Sequence, residues 1–306
     1  MDAEMGTRRG FLKKSFSLGA GVLAATTLEE RILLAKESQK PSKPRSGAGS
    51  LDQGTIGKVR ISRLICGGNL IGGWAHSGEL VYVSSLMTHY FTDEKILETL
   101  SLCEQQGINT VVTVVDQRTM DVLDKHRNNG GRIQWIAQLR ALTDDYTFEA
   151  KVAVDHGAVG GFLHGGTTDQ WIKETGKVDK LAEICGILQD NGLIAGVGGH
   201  ALITPKTCEK EGLDNDFYFK TLNTVSYWCD EREETVRFME SVKKPWIAYK
   251  VLGAGRVSPT AGFKQAISGG ADFMCVGMFD FQVADDVNIL RGILARSKDR
   301  TRPWRG

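Results

Sequence analysis

Eight short apolar runs, each followed by a stretch of helical periodicity, predict a (β/α)8 TIM barrel over the last four-fifths of the chain. The runs are near-continuous rather than alternating, which is the pattern of parallel strands buried on both faces. The 306 residues include 36 glycines but only six prolines, a composition that suits many tight strand–helix turns and not Pro-rich disorder. An open doubly wound sheet is the runner-up. It requires a reversal of strand order, which periodicity does not display.

The elements follow in order. A small hairpin is expected over residues 54–61, turning near Gly57-Lys58. The first barrel strand is Leu64-Ile-Cys-Gly-Gly68. A helix fits Asp93 to Gln106 and is stopped by Gly107. Strand Ile108–Thr113 precedes a helix near Met120 to Arg127, and strand Ile133–Leu139 a helix from Thr147 to Val154. Strand Val159–His164 comes next. Val178 to Gln189 is strongly amphipathic and ends near Gly192. Leu193–Val197 is the fifth strand, and Thr204 caps a short helix that stops at Gly212. Asp216–Thr221 and Pro245–Val251 are strands, with a helix from Glu231 to Val242 between them. A helix opening at Ser258 or Thr260 ends at Gly269-Gly270. Phe273–Gly277 is the eighth strand, and Asp285 to Ser297 the closing helix.

Ahead of the barrel lies a polar stretch rich in Lys, Ser, Pro and Gly. It cannot bury enough apolar surface to order itself, so residues 36–53 are expected to be a flexible linker and residues 54–306 a single domain. Residues 1–35 have a different character. Thr7-Arg8-Arg9-Gly-Phe11-Leu12-Lys13-Lys14 precedes a soft apolar stretch, Phe16 to Ala25. This layout resembles a bacterial twin-arginine signal peptide, and its apolar part is too short for a stable membrane span. The resemblance implies the twin-arginine translocase as a partner during export and the periplasm, or another extracytoplasmic space, as the destination. It also implies a passenger that folds, and loads any cofactor, before it leaves the cytoplasm.

Thirty-eight Lys and Arg balance 37 Asp and Glu, and no basic stripe stands out, so nucleic acid is not an expected partner. Six cysteines lie mostly inside apolar runs with no CxxC pair, and are expected to be buried free thiols. The six histidines show no HxH or HExxH spacing. A divalent metal would need ligands from separate strands, such as His164, His200 and Asp280, and is the weaker expectation.

A barrel focuses attention on the C-terminal ends of its strands, where the loops build the site. His164, Lys220, Lys250 and Asp280 are the catalytic candidates. A partly desolvated lysine can act as base, Schiff-base nucleophile or anion clamp, and two nearby lysines would depress each other further. Asp280 stands between two phenylalanines; burial there would raise its pKa, although it could equally cap a helix. Asp169 has the same two readings. Gly253, Gly255 and Arg256, in a turn expected to open a helix, are candidates for holding phosphate or pyrophosphate. His76, Gln138, His200, Tyr227 and Trp228 are substrate-binding candidates. The last two, with Trp74, offer ring faces suited to sugars, or simply pack their own loops.

The segments Ser62-Arg-Leu-Ile-Cys-Gly-Gly-Asn-Leu70 and Gly107-Ile-Asn-Thr110 resemble the aldo-keto reductase superfamily. So do Phe162-Leu-His164, Gly192–Val197 and Gly270–Gly277. Gly72-Gly-Trp-Ala-His76, Asp216–Thr221 and Gly277–Gln282 are similar to an exported bacterial branch of it. The resemblance implies NADP(H) as cofactor and carbonyl reduction through an Asp, a Tyr, a Lys and a His. Here Val112 takes the Asp position, Gln117 the Tyr position and Gln138 the Lys position; only His164 keeps its slot. A glutamine cannot serve as a titrating proton donor. The sequence therefore suggests an exported enzyme with a non-standard site acting on a carbohydrate or small carbonyl, as an oxidoreductase or a proton-shuttling isomerase or lyase. The alternative is a catalytically inactive ligand-binding barrel descended from a reductase.

Overall fold

The computed structural model describes residues 51–76, 80–297, 300 and 302–306. The stretch expected to be an export signal, residues 1–35, and nearly all of the expected linker lie outside the described residues. Two antiparallel strands, β1 (Gln53–Ile56) and β2 (Val59–Ser62), form the expected hairpin around Gly57-Lys58. Eight parallel strands then close into a barrel: β3 (Leu64–Gly67), β4 (Thr110–Val114), β5 (Gln134–Leu139), β6 (Gly160–Leu163), β7 (Ile194–Gly199), β8 (Phe217–Thr221), β9 (Trp246–Tyr249) and β10 (Phe273–Val276). Each pairs with its sequence neighbour, and β10 pairs with β3 to complete the ring. The (β/α)8 expectation is thereby met.

Strand alternation sorts side chains into two shells. Ile65, Val112, Ile136, Phe162, Ile194, Phe217, Phe219, Ile247, Phe273 and Cys275 fill the interior, and Ile56 and Ile61 of the hairpin join them to plug the N-terminal end. Gly196 makes room inside: a Cβ there would lie 2.3 Å from the Phe217 ring. The alternate residues, such as Cys66, Val111, Trp135, Val197, Tyr218, Trp246 and Met274, pack outward beneath the helices.

The helices are α1 (Tyr82–Tyr90), α2 (Asp93–Gln105), α3 (Gln117–Asn128), α4 (Phe148–Asp155), α5 (Gly165–Thr175), α6 (Asp179–Asp190), α7 (Ile203–Lys210), α8 (Arg232–Ser241), α9 (Pro259–Ser268) and α10 (Asp280–Leu294). Local rules explain several starts. The Thr92, Asp116 and Ser258 side chains accept N–H bonds from Lys95, Thr119 and Ala261, and Pro259 occupies the first turn of α9. Two helices were not foreseen. α1 is rich in β-branched and Ser residues and buries only Met87. α5 begins Gly165-Gly166, a poor helix start on propensity alone. Tertiary crowding requires the first glycine, since a Cβ on Gly165 would lie 2.7 Å from Tyr249 Oη. The closing helix starts at Asp280, five residues ahead of the expected Asp285.

The chain end folds back across the N-terminal side of the barrel. Asp272, wholly buried, accepts bonds from the Trp246 and Arg305 amides and pairs with Arg302 at 3.1 Å and Arg300 at 3.4 Å. The Trp304 ring stacks between the Arg300 and Arg63 guanidinium groups. The six cysteines are free thiols, five of them buried. No helix among the described residues is long and apolar enough to cross a membrane.

Candidate active site

A cavity of about 880 Å³ opens at the C-terminal ends of the strands. Its axial part is lined by His76, Gln138, His164, His200, Tyr227, Trp228, Tyr249 and Lys250. A second, apolar part runs outward under α1, past Leu70, Val83, Met87 and Tyr90. All five substrate-binding candidates, and two of the four catalytic candidates, therefore reach one pocket.

Lys220 and Asp280 do not. Phe217 and Phe219 face the barrel interior, so the period of two turns Lys220 outward. Its ammonium is buried behind the wall, donating to the His200 carbonyl at 2.6 Å and Thr221 Oγ1 at 3.1 Å, with Asp230 at 3.3 Å. Burial lowers its pKa against the opposing pull of Cys229 and Asp230. Lys220 thus braces the backbone that carries His200. Asp280 is the first residue of α10 and accepts bonds from Tyr90 Oη (2.5 Å) and Lys95 Nζ (3.0 Å). Burial alone would raise its pKa, but the Tyr90 and Lys95 bonds outweigh it and the net shift is downward. It is a structural carboxylate and not an acid–base group.

Lys250 follows the opposite course. Ile247 and Tyr249 face inward, so regular alternation would send Lys250 out beside Trp246 and Ala248. A left-handed φ of 56° breaks the alternation and brings the side chain to the cavity. There its ammonium lies 5.5–5.9 Å from the centres of the Tyr227, Trp228 and Tyr249 rings. It makes no ion pair or hydrogen bond among the described residues. Burial lowers its pKa to about 8.

Three imidazoles surround this amine. Burial, reinforced by the Lys250 and His200 charges, depresses His76 and His164 to about 4, so both are neutral at physiological pH. His164 also marks the start of α5, and its ring lies 5.8 Å from that of His200. His200 is held from behind by Asp169. One carboxylate oxygen accepts the His200 and Ala201 amides at 2.8 and 3.1 Å and lies 3.3 Å from His200 Nδ1, while the other accepts Thr204 Oγ1 at 2.6 Å. Burial opposes ionisation of Asp169, but these bonds prevail and hold it as a carboxylate. Asp169 accordingly orients the His200 ring across the base of the pocket.

The sequence reading missed Tyr249. It holds an inward position at the tip of β9, its ring packs on Phe219, and its hydroxyl is buried beside Gly165 with no hydrogen-bond partner among the described residues. Burial raises its pKa well above the ordinary value, so the phenol keeps its proton. The inward parity from Ile247 was a legible signal for it.

The Gly253–Arg256 turn fits its expected role only in part. Ala254 and Gly255 line the cavity, and Gly253, Ala254 and Gly255 are all left-handed. However, the Gly253, Gly255 and Val257 amides donate back to Lys250 and Leu252 carbonyls. The helix begins beyond the turn, at Pro259. The donors left are the Ala254 and Arg256 amides and the Arg256 guanidinium, which lies 5.1 Å over the Tyr227 ring. That set suits one phosphate group better than a wrapped pyrophosphate. No group of three or more His, Cys, Asp or Glu among the described residues is arranged to hold a metal.

No family model matches the sequence, and no curated protein matches it. The fold does match solved structures. One, described as an aldo-keto reductase from Pseudomonas aeruginosa, superposes with a TM-score of 0.61 at 16% identity over 82% of this chain and 99% of its own. The glycerol dehydrogenase of Gluconobacter oxydans gives 0.53 at 13% identity, covering 80% and 95%. A Gox0644 mutant in complex with NADPH gives 0.55 at 11%, covering 79% and 88%. What the chain shares with these structures is the (β/α)8 barrel; at 11–16% identity the likeness is one of fold.

Proposed function

We propose that this protein is a carbonyl-handling enzyme that moves protons on a small carbohydrate or hydroxy-carbonyl substrate. The observation that carries the reading is the convergence on one pocket of an unpaired Lys250 amine with His164 and the Asp169-held His200. In this reading Lys250, about a tenth neutral at pH 7 if its pKa is near 8, removes or returns a proton beside the carbonyl. The His76 and His164 imidazoles, held neutral, relay it. Tyr227, Trp228 and Trp74 supply ring faces for the sugar. The test is exchange of hydrogens next to the carbonyl in D2O, followed by NMR over a panel of aldoses, ketoses and short hydroxy-aldehydes. The expected result is deuterium incorporation that Lys250→Met and His164→Asn each reduce by about a hundredfold or more. Binding of these compounds with no exchange would leave the inactive ligand-binding barrel instead.

A second reading, NADP(H)-dependent reduction, draws on the barrel's likeness to an NADPH-bound structure and on the Ala254–Arg256 donors beside the cavity. When bound, a nicotinamide nucleotide would supply hydride; the Ala254 and Arg256 amides and the Arg256 guanidinium would hold one of its phosphates. Fluorescence titration with NADPH, with Arg256→Ala as control, tests it.

Export through the twin-arginine translocase to the periplasm remains part of the proposal, supported by Arg8-Arg9 and the apolar stretch behind them. Replacing both arginines with lysine should leave the protein in the cytoplasm on fractionation.

A further inference from the structure

We propose that Lys250 acts as a covalent nucleophile, forming a Schiff base with the carbonyl carbon of an aldehyde or ketone bound at the barrel mouth. The proposal rests on the reading above, and it names how the substrate is held while protons move.

Three features of the surroundings distinguish this amine from an ordinary rim lysine. Its backbone is forced into the left-handed region to present it, and it has no ion pair or hydrogen bond among the described residues. Strain of that kind persists in functional sites because surrounding structure holds it there. The walls are ring faces of Tyr227, Trp228 and Tyr249 at 5.5–5.9 Å, and no carboxylate pairs with the amine. Rings of this kind favour a cation modestly but neither hydrogen-bond it nor neutralise it, so the free amine loses little by existing there. The neighbouring groups also suit the chemistry: His76 and His164 are held neutral, and Tyr249 holds its proton close by.

The step balances without an external oxidant or reductant. The Lys250 lone pair attacks the carbonyl carbon, a C–N bond forms, and the C=O π pair moves to oxygen. A proton passes from nitrogen to that oxygen by way of an imidazole, giving a carbinolamine. A second proton, taken up from solvent and passed on by the same imidazole, lets the oxygen leave as water while the nitrogen lone pair closes the C=N bond. The iminium so formed withdraws electrons from the adjacent carbon far more strongly than the parent carbonyl. It therefore makes the neighbouring C–H acidic enough for a neutral histidine to remove, which takes over the base role from Lys250 once the amine is bonded.

The experiment uses glycolaldehyde and sodium cyanoborohydride on the purified full chain at pH 7, with peptide mapping by mass spectrometry. At that pH an amine with a pKa near 8 holds on the order of a hundredfold more free base than an ordinary lysine. The expected result is one reduced adduct on the Lys250 peptide, forming roughly tenfold or more faster than at any surface lysine. Lys250→Arg should abolish it while keeping the positive charge. Adducts spread over surface lysines, with none favoured at Lys250, would overturn the proposal. The mapping is done on the unmodified protein, so a variant that fails to fold does not obscure the answer. Deuterium exchange without trapping would leave Lys250 a plain base and overturn the covalent step alone. Trapping without exchange would sustain the covalent step and overturn the proton-shuttling reading.

Discussion

The two ends of the barrel solve the same backbone problem with different residues. On the N-terminal side, six helix-to-strand turns pass through a left-handed residue, and each time it is glycine: Gly107, Gly130, Gly157, Gly192, Gly212 and Gly270. On the C-terminal side Gly73, Gly253 and Gly255 are joined by six left-handed positions that carry side chains: His76, Ala141, Ser226, Trp228, Lys250 and Ala254. Glycine enters that region freely, whereas an L side chain costs about 1–2 kcal/mol there. Four of the six, His76, Trp228, Lys250 and Ala254, line the cavity. One end of the molecule follows the cheapest local rule throughout. The other departs from it where side chains must be aimed into a pocket.

The comparison breaks most sharply if the N-terminal end proves dispensable for stability. Asp272→Ala should be the largest single effect, since it strands the buried Arg302 guanidinium and frees the Trp246 and Arg305 amides. Losing one partner of a buried pair costs about 3–5 kcal/mol. Denaturant unfolding should show that loss, while the protein that remains folded traps glycolaldehyde at Lys250 as before.

A matched pair of substitutions sharpens the contrast further. A Cβ on Gly192 would meet nothing within 4 Å, so Gly192→Ala reports the φ of 78° alone. It should destabilise by about 1 kcal/mol. Ala254→Gly, at an exposed position with a φ of 58°, should do the reverse and stabilise by about 0.5 kcal/mol, because relief of strain exceeds the added chain entropy. Equal signs in thermal or denaturant melts would remove the distinction between the two ends.

That distinction also accounts for what could be read from the sequence. The hairpin, the eight strands and the glycine-terminated helices follow local rules and were legible from periodicity and turn residues. The C-terminal end was legible only where alternation holds. Counting back from Phe217 and Phe219 would have placed Lys220 behind the wall, and counting from Ile247 would have found Tyr249. Lys250 obeys no such count, because its side chain reaches the pocket through a backbone departure with no sequence signature. The Asp169–His200 contact joins residues beyond β6 and β7, and only closure of the barrel brings them together. Asp280 misled for a related reason: its phenylalanine neighbours suggested an apolar site, but Tyr90 and Lys95, distant in sequence, supply its partners.

The remaining contrast concerns pH, and it separates the two ends by titration. Lys250 is depressed to about 8 in the folded protein, against about 10.4 for an unfolded lysine. Between those values the unfolded chain binds more protons, so stability rises with pH; the cost of burying the ammonium is fully present below pH 8 and is relieved as pH climbs towards 10.4. His76 and His164, lowered to about 4 from about 6.5, have the same sign in a lower window: their contribution is intact above pH 6.5 and is lost as pH falls towards 4. Lys250→Met should therefore raise the melting temperature at pH 7, and the gain should shrink steadily between pH 8 and 10. His164→Asn should flatten the decline between pH 6.5 and 4. Gly192→Ala, which alters no titrating group, should lower the melting curve by the same amount at every pH. A pH-dependent gap for that variant, or a constant one for Lys250→Met, would mean that the Lys250 charge is solvated like any surface lysine and that the C-terminal end is not the electrostatically tuned region described above.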